Sequence, residues 1–355
     1  MLRIDTTAPV MVTGATGFVA GWIVKELLTA GLTVHAPIRG VNDQYKTQYL
    51  RHLAAKTAGV IKFFEADLLK KGSYAEAMAG CQIVFHTASP FNVDVKDAQK
   101  ELVDPALLGT RNVLEEVNRV SSVKRVVLTS SCAAIYGDNA DLKNTPRGIF
   151  TEQIWNTSSS LEHNPYSYSK TVAEAEAWKI AGTQQRWDLV CINPTMVFGP
   201  GINPNATSES FRMVKQMGDG TMKMGAPRWG FGMVDVRDLA HAHIAAAFIP
   251  EAHGRYIVNA HNTDMLATAM SLLPRFGDKY PLPRRAIPKW VLWLAGPMAG
   301  GGMTRKMIAR NVNFPWKGDN NRGIKELGII YRPLVETMDD MFQQMVDSGL
   351  LAPVS

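Results

Sequence analysis

The chain has 355 residues, 46% hydrophobic and 20% charged, and 38 Lys and Arg against 32 Asp and Glu give a net charge of +6. This composition is typical of one or two globular domains and excludes a disordered chain. No run of basic residues exceeds two, so the positive charge does not indicate a nucleic-acid binder.

The cysteines and histidines exclude further classes. Cys81, Cys132 and Cys191 are too few for a disulfide framework and have no CxxC metal spacing. His86, His241 and His243 lack Cys or carboxylate partners at metal spacing, so we expect no metal. Sparse cysteines favour a reducing compartment, and the N-terminus shows no hydrophobic signal segment, so we expect a cytoplasmic protein. No apolar stretch reaches about 18 residues, so no membrane span is expected.

Strand-like apolar runs alternate with helix-period segments through the first two hundred residues. The predicted strands cover residues 9–13, 32–38, 60–64, 83–86, 125–129 and 188–192. The predicted helices cover residues 18–30, 45–56, 98–119 and 166–181. This βαβα order predicts an α/β fold, a doubly wound parallel sheet covered by helices on both faces.

The pattern changes after residue 194. Gly, Pro, Met and Asn become frequent, and the last ninety residues are Pro-punctuated and helical. A helix at 236–248 and a strand at 255–259 are expected to return to the sheet. We therefore predict a larger domain of residues 1–194 plus about 231–263, and a smaller C-terminal domain of about 195–230 plus 264–355 that binds the substrate. Residues 290–303, WVLWLAGPMAGGGM, are predicted as core of the smaller domain, with an exposed apolar surface as the alternative.

A glycine turn joins the first strand to the first helix. Its sequence is Thr13-Gly14-Ala15-Thr16-Gly17-Phe18-Val19-Ala20. Gly14 permits the tight turn, Gly17 lets the backbone approach a pyrophosphate, and Ala20 lets the helix pack close to the strand. The helix N-terminus offers unpaired N–H groups to the phosphates. The larger domain is thus predicted to be a dinucleotide-binding (Rossmann) domain. From this turn the expected cofactor-binding residues are Thr13, Gly14, Thr16, Gly17, Phe18 and Val19.

The end of the second strand indicates which dinucleotide binds. An NAD site places Asp or Glu there to hold the ribose hydroxyls, and this chain has none. Arg39 can stack on adenine and pair with a 2′-phosphate, and Lys46 can supply a second charge. We therefore expect NADPH rather than NAD. The ends of the third and fourth strands, expected beside the adenine and beneath the dinucleotide, carry Asp67, Leu68, Thr87, Ala88 and Ser89.

A serine, a tyrosine and a lysine form the candidate catalytic set. Ser131 follows the fifth strand, and Tyr166 comes 35 residues later at the start of a helix. Lys170 lies four residues further on, so it shares a helix face with Tyr166. We expect its charge to lower the pKa of Tyr166 and its ammonium to hold the cofactor ribose. Ser131 would orient a carbonyl oxygen that Tyr166 protonates. Tyr168 does not fit, because Val172 stands four residues after it.

These motifs resemble those of extended short-chain dehydrogenase/reductases over nearly the whole chain. The likeness is strongest to the branch of dihydroflavonol 4-reductase, cinnamoyl-CoA reductase and yeast-type aldehyde reductase. Besides the glycine turn it is carried by VVLTSS at 126–131, YSYSKTVAE at 166–174, NPTMVFGP at 193–200 and VDVRDLA at 234–240.

The resemblance implies roles for individual residues. Ser131 rather than Ser130 corresponds to the catalytic serine, and Arg39 and Lys46 correspond to the residues that bind the 2′-phosphate. Asn112 is implied to support Lys170 through water. The further cofactor-binding residues expected at the strand ends and along the nicotinamide are Thr129, Pro194, Thr195 and Val197.

The sequence thus predicts NADPH-dependent, reversible reduction of an aldehyde or ketone, aromatic or apolar, to its alcohol. Phe91, Tyr136 and Phe231 are candidate substrate contacts, and the protein is expected to be a monomer or homodimer. One alternative is an NAD-dependent sugar-nucleotide epimerase, with Arg228 and Arg237 among the cations for the diphosphate. Others are a hydroxysteroid dehydrogenase and a non-catalytic NADP-sensing regulator.

Overall fold

The structure is a computed structural model that describes residues 7–41, 43–89, 95–203, 208–298 and 303–353. The strands are β1 (Val10–Thr13), β2 (Thr33–Ile38), β3 (Val60–Glu65), β4 (Ile83–His86), β5 (Arg125–Thr129), β6 (Asp188–Pro194), β7 (Met196–Phe198), β8 (Gly230–Asp235), β9 (Gly254–Val258) and β10 (His261–Asp264). The helices are α1 (Phe18–Thr29), α2 (Gln44–Ala55), α3 (Ala75–Met78), α4 (Asp104–Arg119), α5 (Pro165–Ala181), α6 (Glu209–Gly218), α7 (Val236–Phe248), α8 (Met265–Met270), α9 (Leu273–Phe276), α10 (Lys289–Ala295), α11 (Arg305–Asn311), α12 (Asn321–Leu327) and α13 (Leu334–Asp347).

Seven parallel strands form the main sheet, in the order β3-β2-β1-β4-β5-β6-β9. The chain winds outward from β1 in one direction and then from β4 in the other. The switch point therefore lies between β1 and β4, where the carboxyl ends of the strands open a crevice. The predicted doubly wound parallel fold is confirmed.

Alternating side chains of the strands build two cores, one on each face of the sheet. Val10 and Val12 pack with α1, α2 and α7, whereas Met11 between them packs with α3, α4 and α5. This is the two-residue period of a strand that is buried on both sides. As expected from the sequence, α7 and β9 return to the main sheet, and β9 pairs with β6.

A second, three-stranded sheet in the order β10-β8-β7 is a feature that the sequence did not predict. Beside it lies a third core that includes Phe198, Phe211, Met233 and Phe342 and involves α6, α8, α9 and α13. Together with the C-terminal helices, this sheet adds a smaller region to the Rossmann fold. The division into two domains and the substrate-binding role of the smaller region stay predictions.

The prediction that residues 290–303 form core is wrong for the part that the structure describes. No residue of α10 is buried, and Trp290 and Met298 are 67% and 83% exposed. Within the described ranges, no helix combines the length and the apolarity needed to cross a membrane.

Candidate active site

The glycine turn lies at the switch point with the geometry that a phosphate-binding turn needs. Gly14 has φ of +65°, and a Cβ there would lie 3.1 Å from the Cα of Ala88 on the neighbouring strand end. The Gly17 N–H donates to the Gly14 carbonyl at 2.8 Å. No side chain caps the N-terminus of α1, and its first turn holds no acidic residue. The turn therefore leaves helix N–H groups available to an anionic pyrophosphate.

Other residues of the turn differ in how they are placed. Gly17 is exposed and Thr16 is partly exposed. The Phe18 ring packs edge-on against Phe211, with centroids 5.4 Å apart, and Val19 packs partly against the core of the main sheet. Phe18 thus links the turn to the smaller region.

Thr13 fixes the spacing of the two strand ends at the switch point. Its hydroxyl accepts from the N–H groups of Thr87 at 3.1 Å and Ala88 at 3.0 Å, and lies 3.0 Å from Nδ1 of His86. Burial, together with the charge of Lys170, lowers the pKa of His86 to about 4, so the ring is neutral at pH 7 and its Nδ1 can accept the Thr13 proton. The Thr87 hydroxyl in turn donates to the Thr13 carbonyl.

Arg39 is exposed at the end of β2, where a 2′-phosphate is expected. The sequence analysis missed Glu65, the last residue of β3. Its carboxylate accepts hydrogen bonds from the backbone N–H groups of Gly40 and Val41, each at 3.0 Å. These hydrogen bonds lower the pKa of Glu65. The negative charge of Glu65 thus stabilises the backbone turn that follows Arg39. Lys46 is exposed and lies 3.1 Å from the carboxylate of Asp43.

The loop after β3 is held by its own hydrogen bonds. The Asp67 carboxylate accepts from the N–H of Leu69 at 2.8 Å. The side-chain amide of Asn112 donates to the Leu68 carbonyl at 3.0 Å. Asn112, which lies in α4, thus contacts this loop, and its predicted role toward Lys170 stays a prediction.

Ser131, Tyr166 and Lys170 come together beside the switch point. The hydroxyl of Ser131 hydrogen-bonds the phenol of Tyr166. The ammonium of Lys170 lies 5.6 Å from the centre of the Tyr166 ring and donates to the hydroxyl of Ser89 at 2.8 Å. Ser89 follows β4, so the set joins the ends of β4 and β5 to the first turns of α5. The arrangement can deliver a proton to an oxygen held by two hydroxyl groups.

The protonation states differ from the sequence expectation. Burial raises the pKa of Tyr166 to about 12, against the hydrogen bond with Ser131, which lowers it. Burial also lowers the pKa of Lys170 to about 8. The pKa of Tyr166 is therefore raised in this structure, because desolvation by burial dominates. The predicted lowering effect of the Lys170 charge on that pKa stays a prediction. A raised pKa keeps the phenol protonated at neutral pH, which is the form that a proton donor needs.

A buried carboxylate behind the serine run is a second residue of the site that the sequence analysis missed. Glu174 is 1% exposed and accepts from the hydroxyl of Ser130 at 2.5 Å, the amide of Asn193 at 2.8 Å and Nε of Arg255 at 2.6 Å. The same Asn193 amide donates to the Ser131 carbonyl at 3.1 Å. Ser130 therefore faces this network, whereas Ser131 faces Tyr166. The available signal was the position of Glu174, four residues after Lys170 on the same helix.

Four predicted cofactor residues lie at the end of β5, at the junction of β6 with β7, and within β7. The hydroxyl of Thr129 donates to Nε2 of His243 at 2.7 Å, since Nδ1 of that ring donates to a backbone carbonyl. Pro194 and Thr195 are buried at the junction with β7, and Val197 is partly buried. Their roles along a nicotinamide stay predictions.

The three candidate substrate residues are placed differently from one another. The Tyr136 ring stacks on Phe150 with centroids 4.7 Å apart. Phe231 is 4% exposed and stacks on Phe198 at 6.1 Å, so its ring is part of the third core. Phe91 lies outside the described residues.

Two of the cations considered for a nucleotide diphosphate, Arg228 and Arg237, are already ion-paired, whereas Lys223, the third, has no ion pair among the described residues. Arg228 lies 3.0 Å from Asp264. Arg237 binds Asp235 and Asp340, each at 2.7 Å. An epimerase would have to break or share these pairs to bind its substrate.

A glycine turn at the switch point, with Ser, Tyr and Lys gathered at the carboxyl ends of the strands, defines an extended short-chain dehydrogenase/reductase. A family model described as the NAD dependent epimerase/dehydratase family matches residues 10–259, and the chain belongs to this family. The predicted resemblance to the reductase branch is confirmed.

Named relatives support the same branch. Cinnamoyl-CoA reductase CAD2 of Medicago truncatula is 40% identical over 272 residues, 75% of this chain and 81% of that protein. Cinnamoyl-CoA reductase 1 of Arabidopsis thaliana is 33% identical over an alignment that covers 99% of this chain and 94% of that protein. Among solved structures, Gre2 of Candida albicans in complex with NADPH has a TM-score of 0.76 at 28% identity, covering 96% of this chain and 99% of that chain.

Proposed function

We propose that this protein is an NADPH-dependent oxidoreductase that reversibly reduces an aldehyde or ketone bearing an aromatic or apolar group to the alcohol. The observation that carries the proposal is the convergence of Ser131, Tyr166 and Lys170 next to the glycine turn. The relatives named as cinnamoyl-CoA reductases and the NADPH complex of Gre2 support the reaction class and the cofactor.

The residues present fit the dinucleotide. Gly14 adopts a positive φ and packs closely against the end of β4, which a side chain there would prevent, and the N-terminus of α1 is uncapped. Arg39 and Lys46 are exposed cations that can pair with a 2′-phosphate. Bound NADPH supplies the hydride that reaches the carbonyl carbon.

Side chains of the protein bind and protonate the carbonyl oxygen of the substrate. Ser131 donates a hydrogen bond to that oxygen and holds it beside Tyr166. Tyr166 then transfers its phenolic proton to the oxygen, which completes the alcohol as the carbon gains the hydride. Lys170 holds the ribose hydroxyls, and its ammonium stabilises the phenolate left after the transfer. In the reverse direction the phenolate takes the proton back.

Cofactor and substrate tests address the proposal directly. NADPH and NADH are titrated by nicotinamide fluorescence, and NADPH consumption is followed with aromatic aldehydes, apolar ketones and UDP-sugars. We expect tighter binding of NADPH and turnover on the apolar carbonyls. Tightly retained NAD with turnover only on a UDP-sugar would instead establish the epimerase.

Two tyrosines of α5 provide a matched pair of variants. Tyr166→Phe removes the proton donor and should lower kcat by about 10²- to 10⁴-fold, while NADPH binding stays close to wild type. Tyr168→Phe, two residues away on the same helix, should keep wild-type kcat. Near-normal turnover of Tyr166→Phe would contradict the mechanism, and intact biological activity without turnover would favour an NADP-sensing regulator.

A further inference from the structure

The helix α10 and the turn that follows it present large apolar side chains to solvent. Trp290 is 67% exposed, Trp293 41%, Leu294 52% and Met298 83%. We call these four residues the α10 surface. Exposed apolar groups that cluster in this way mark a surface that another body covers, since single scattered ones are the norm elsewhere.

Every charged residue in the segment around the α10 surface is basic. Residues 279–318 contain eight basic residues and no Asp or Glu. The eight are Lys279, Arg284, Arg285, Lys289, Arg305, Lys306, Arg310 and Lys317. In the described part of the chain, only Arg310 of these makes an ion pair with a carboxylate. The positive charge of this segment is therefore largely uncompensated by neighbouring acids.

The two properties occur side by side on the folded surface. α11 packs against α10, and the Arg305 guanidinium stacks on the Trp293 ring at 4.5 Å. Lys306 next to it is exposed. Aromatic rings and cations thus share one face, an arrangement that suits a boundary between an apolar layer and a layer of negative charge.

Hydrogen bonds connect the α10 surface to the rest of the molecule. The Lys289 ammonium donates to the carbonyls of Ala309 at 2.7 Å and Val312 at 2.9 Å, which joins α10 to α11. Arg310 of α11 binds Asp138 and Asp141, which lie in the segment that follows Ser131. Docking through α10 needs no unfolding of the body of the protein.

We propose that the α10 surface docks on an anionic phospholipid bilayer. Trp290, Trp293 and neighbouring apolar side chains would enter the boundary between headgroups and acyl chains, while Arg305 and Lys306 pair with lipid phosphates. A second copy of the chain fits less well, because a two-fold interface would press the same uncompensated positive charge against itself.

Vesicle flotation with the full-length protein tests this proposal. Vesicles of phosphatidylcholine mixed with phosphatidylglycerol are compared with vesicles of phosphatidylcholine alone. We expect binding to the mixed vesicles only, weakening as salt is raised because the charge interactions are screened. Absence of binding to the mixed vesicles would overturn the proposal.

Variants assign the binding to the α10 surface. The double variant Trp290→Ser/Trp293→Ser and the charge variant Arg305→Glu/Lys306→Glu should each lower the bound fraction by about tenfold. Ile330→Ser is the matched control, because Ile330 is 88% exposed elsewhere on the molecule, and it should bind as wild type. The melting temperature checks that each variant is folded. Undiminished binding by the tryptophan variant, or self-association that this variant abolishes without any flotation of the wild type, would overturn the proposal.

Discussion

Two regions of the main sheet each contain a buried arginine that binds a carboxylate, and the two pairs have different roles. At the amino ends of the strands, Arg125 is 2% exposed and binds both oxygens of Asp188 at 2.9 and 2.8 Å. It also donates to the carbonyls of Ala246, Ile249 and Pro250 after or near the end of α7. Arg125 and its partners do not contact the residues of the candidate site.

Toward the carboxyl ends, Arg255 and Glu174 form the corresponding pair. This pair differs because Glu174 also binds Ser130, and Asn193 links it to the Ser131 backbone. Loops meet at the carboxyl ends of parallel strands, so a buried ion pair there also sets the position of reacting groups. The comparison indicates that the first pair stabilises the fold, whereas the second both stabilises it and orients the serine.

Breaking either pair should give the largest effect. Glu174→Ala leaves buried polar partners unpaired and should lower the free energy of unfolding by about 3–5 kcal/mol. Arg125→Ala should lower it by less, because the Asp188 carboxylate that it leaves unpaired is 39% exposed to solvent. Urea unfolding measures this change. At a temperature where both variants are folded, Arg125→Ala should keep wild-type kcat and Glu174→Ala should not. Equal loss of kcat in both variants would remove the distinction between the two regions.

A milder change sharpens the comparison. Glu174→Gln keeps the shape but weakens the hydrogen bonds from Ser130 and Arg255. We expect kcat to fall about tenfold through misplacement of Ser131, with NADPH affinity unchanged. Asp188→Asn, the matching change in the amino-end pair, is the control and should leave kcat unaltered. A fall in NADPH affinity alone would show that Glu174 does not act through Ser131.

The expected 2′-phosphate site gives a smaller effect. Arg39→Ala should weaken NADPH binding about tenfold, the order expected for one charge-assisted hydrogen bond, and leave NADH binding unchanged. Lys46→Ala should do less, because Lys46 is exposed and shared with Asp43. Fluorescence titration of both cofactors separates the outcomes. Equal weakening of NADPH and NADH by Arg39→Ala would argue against a 2′-phosphate contact.

The smallest effect is expected in the acid dependence of stability. Burial disfavours the charge of Asp138, but hydrogen bonds from His163, Arg310 and Asn311 outweigh it and lower its pKa. A lowered folded-state pKa stabilises the protein above the unfolded value of about 3.9, and this contribution is lost as pH falls through the folded value. Wild type should therefore lose more stability than Asp138→Asn between about pH 5 and pH 2. Parallel stability curves would contradict this assignment.

Most of the main sheet could be predicted from the sequence, and the second sheet could not. The predicted strand at residues 83–86 and the predicted helix at 236–248 match β4 and α7 at both ends. In contrast, β8 contains two glycines and β10 reads His-Asn-Thr-Asp, so neither shows the apolar pattern of a strand. These strands form because each finds a partner distant in the chain, a contact that no local pattern reports.

By itself the sequence determined the glycine turn, the order of strands and helices in the Rossmann region, and the pairing of Tyr166 with Lys170. Each depends on residues close together in the chain, through backbone conformation or helical spacing. Only the tertiary structure decided that Glu174 supports the serine run, that burial governs the pKa of Tyr166, and that Trp290 faces solvent. Those properties depend on which distant segments exclude water from a side chain, and a linear pattern does not contain that information.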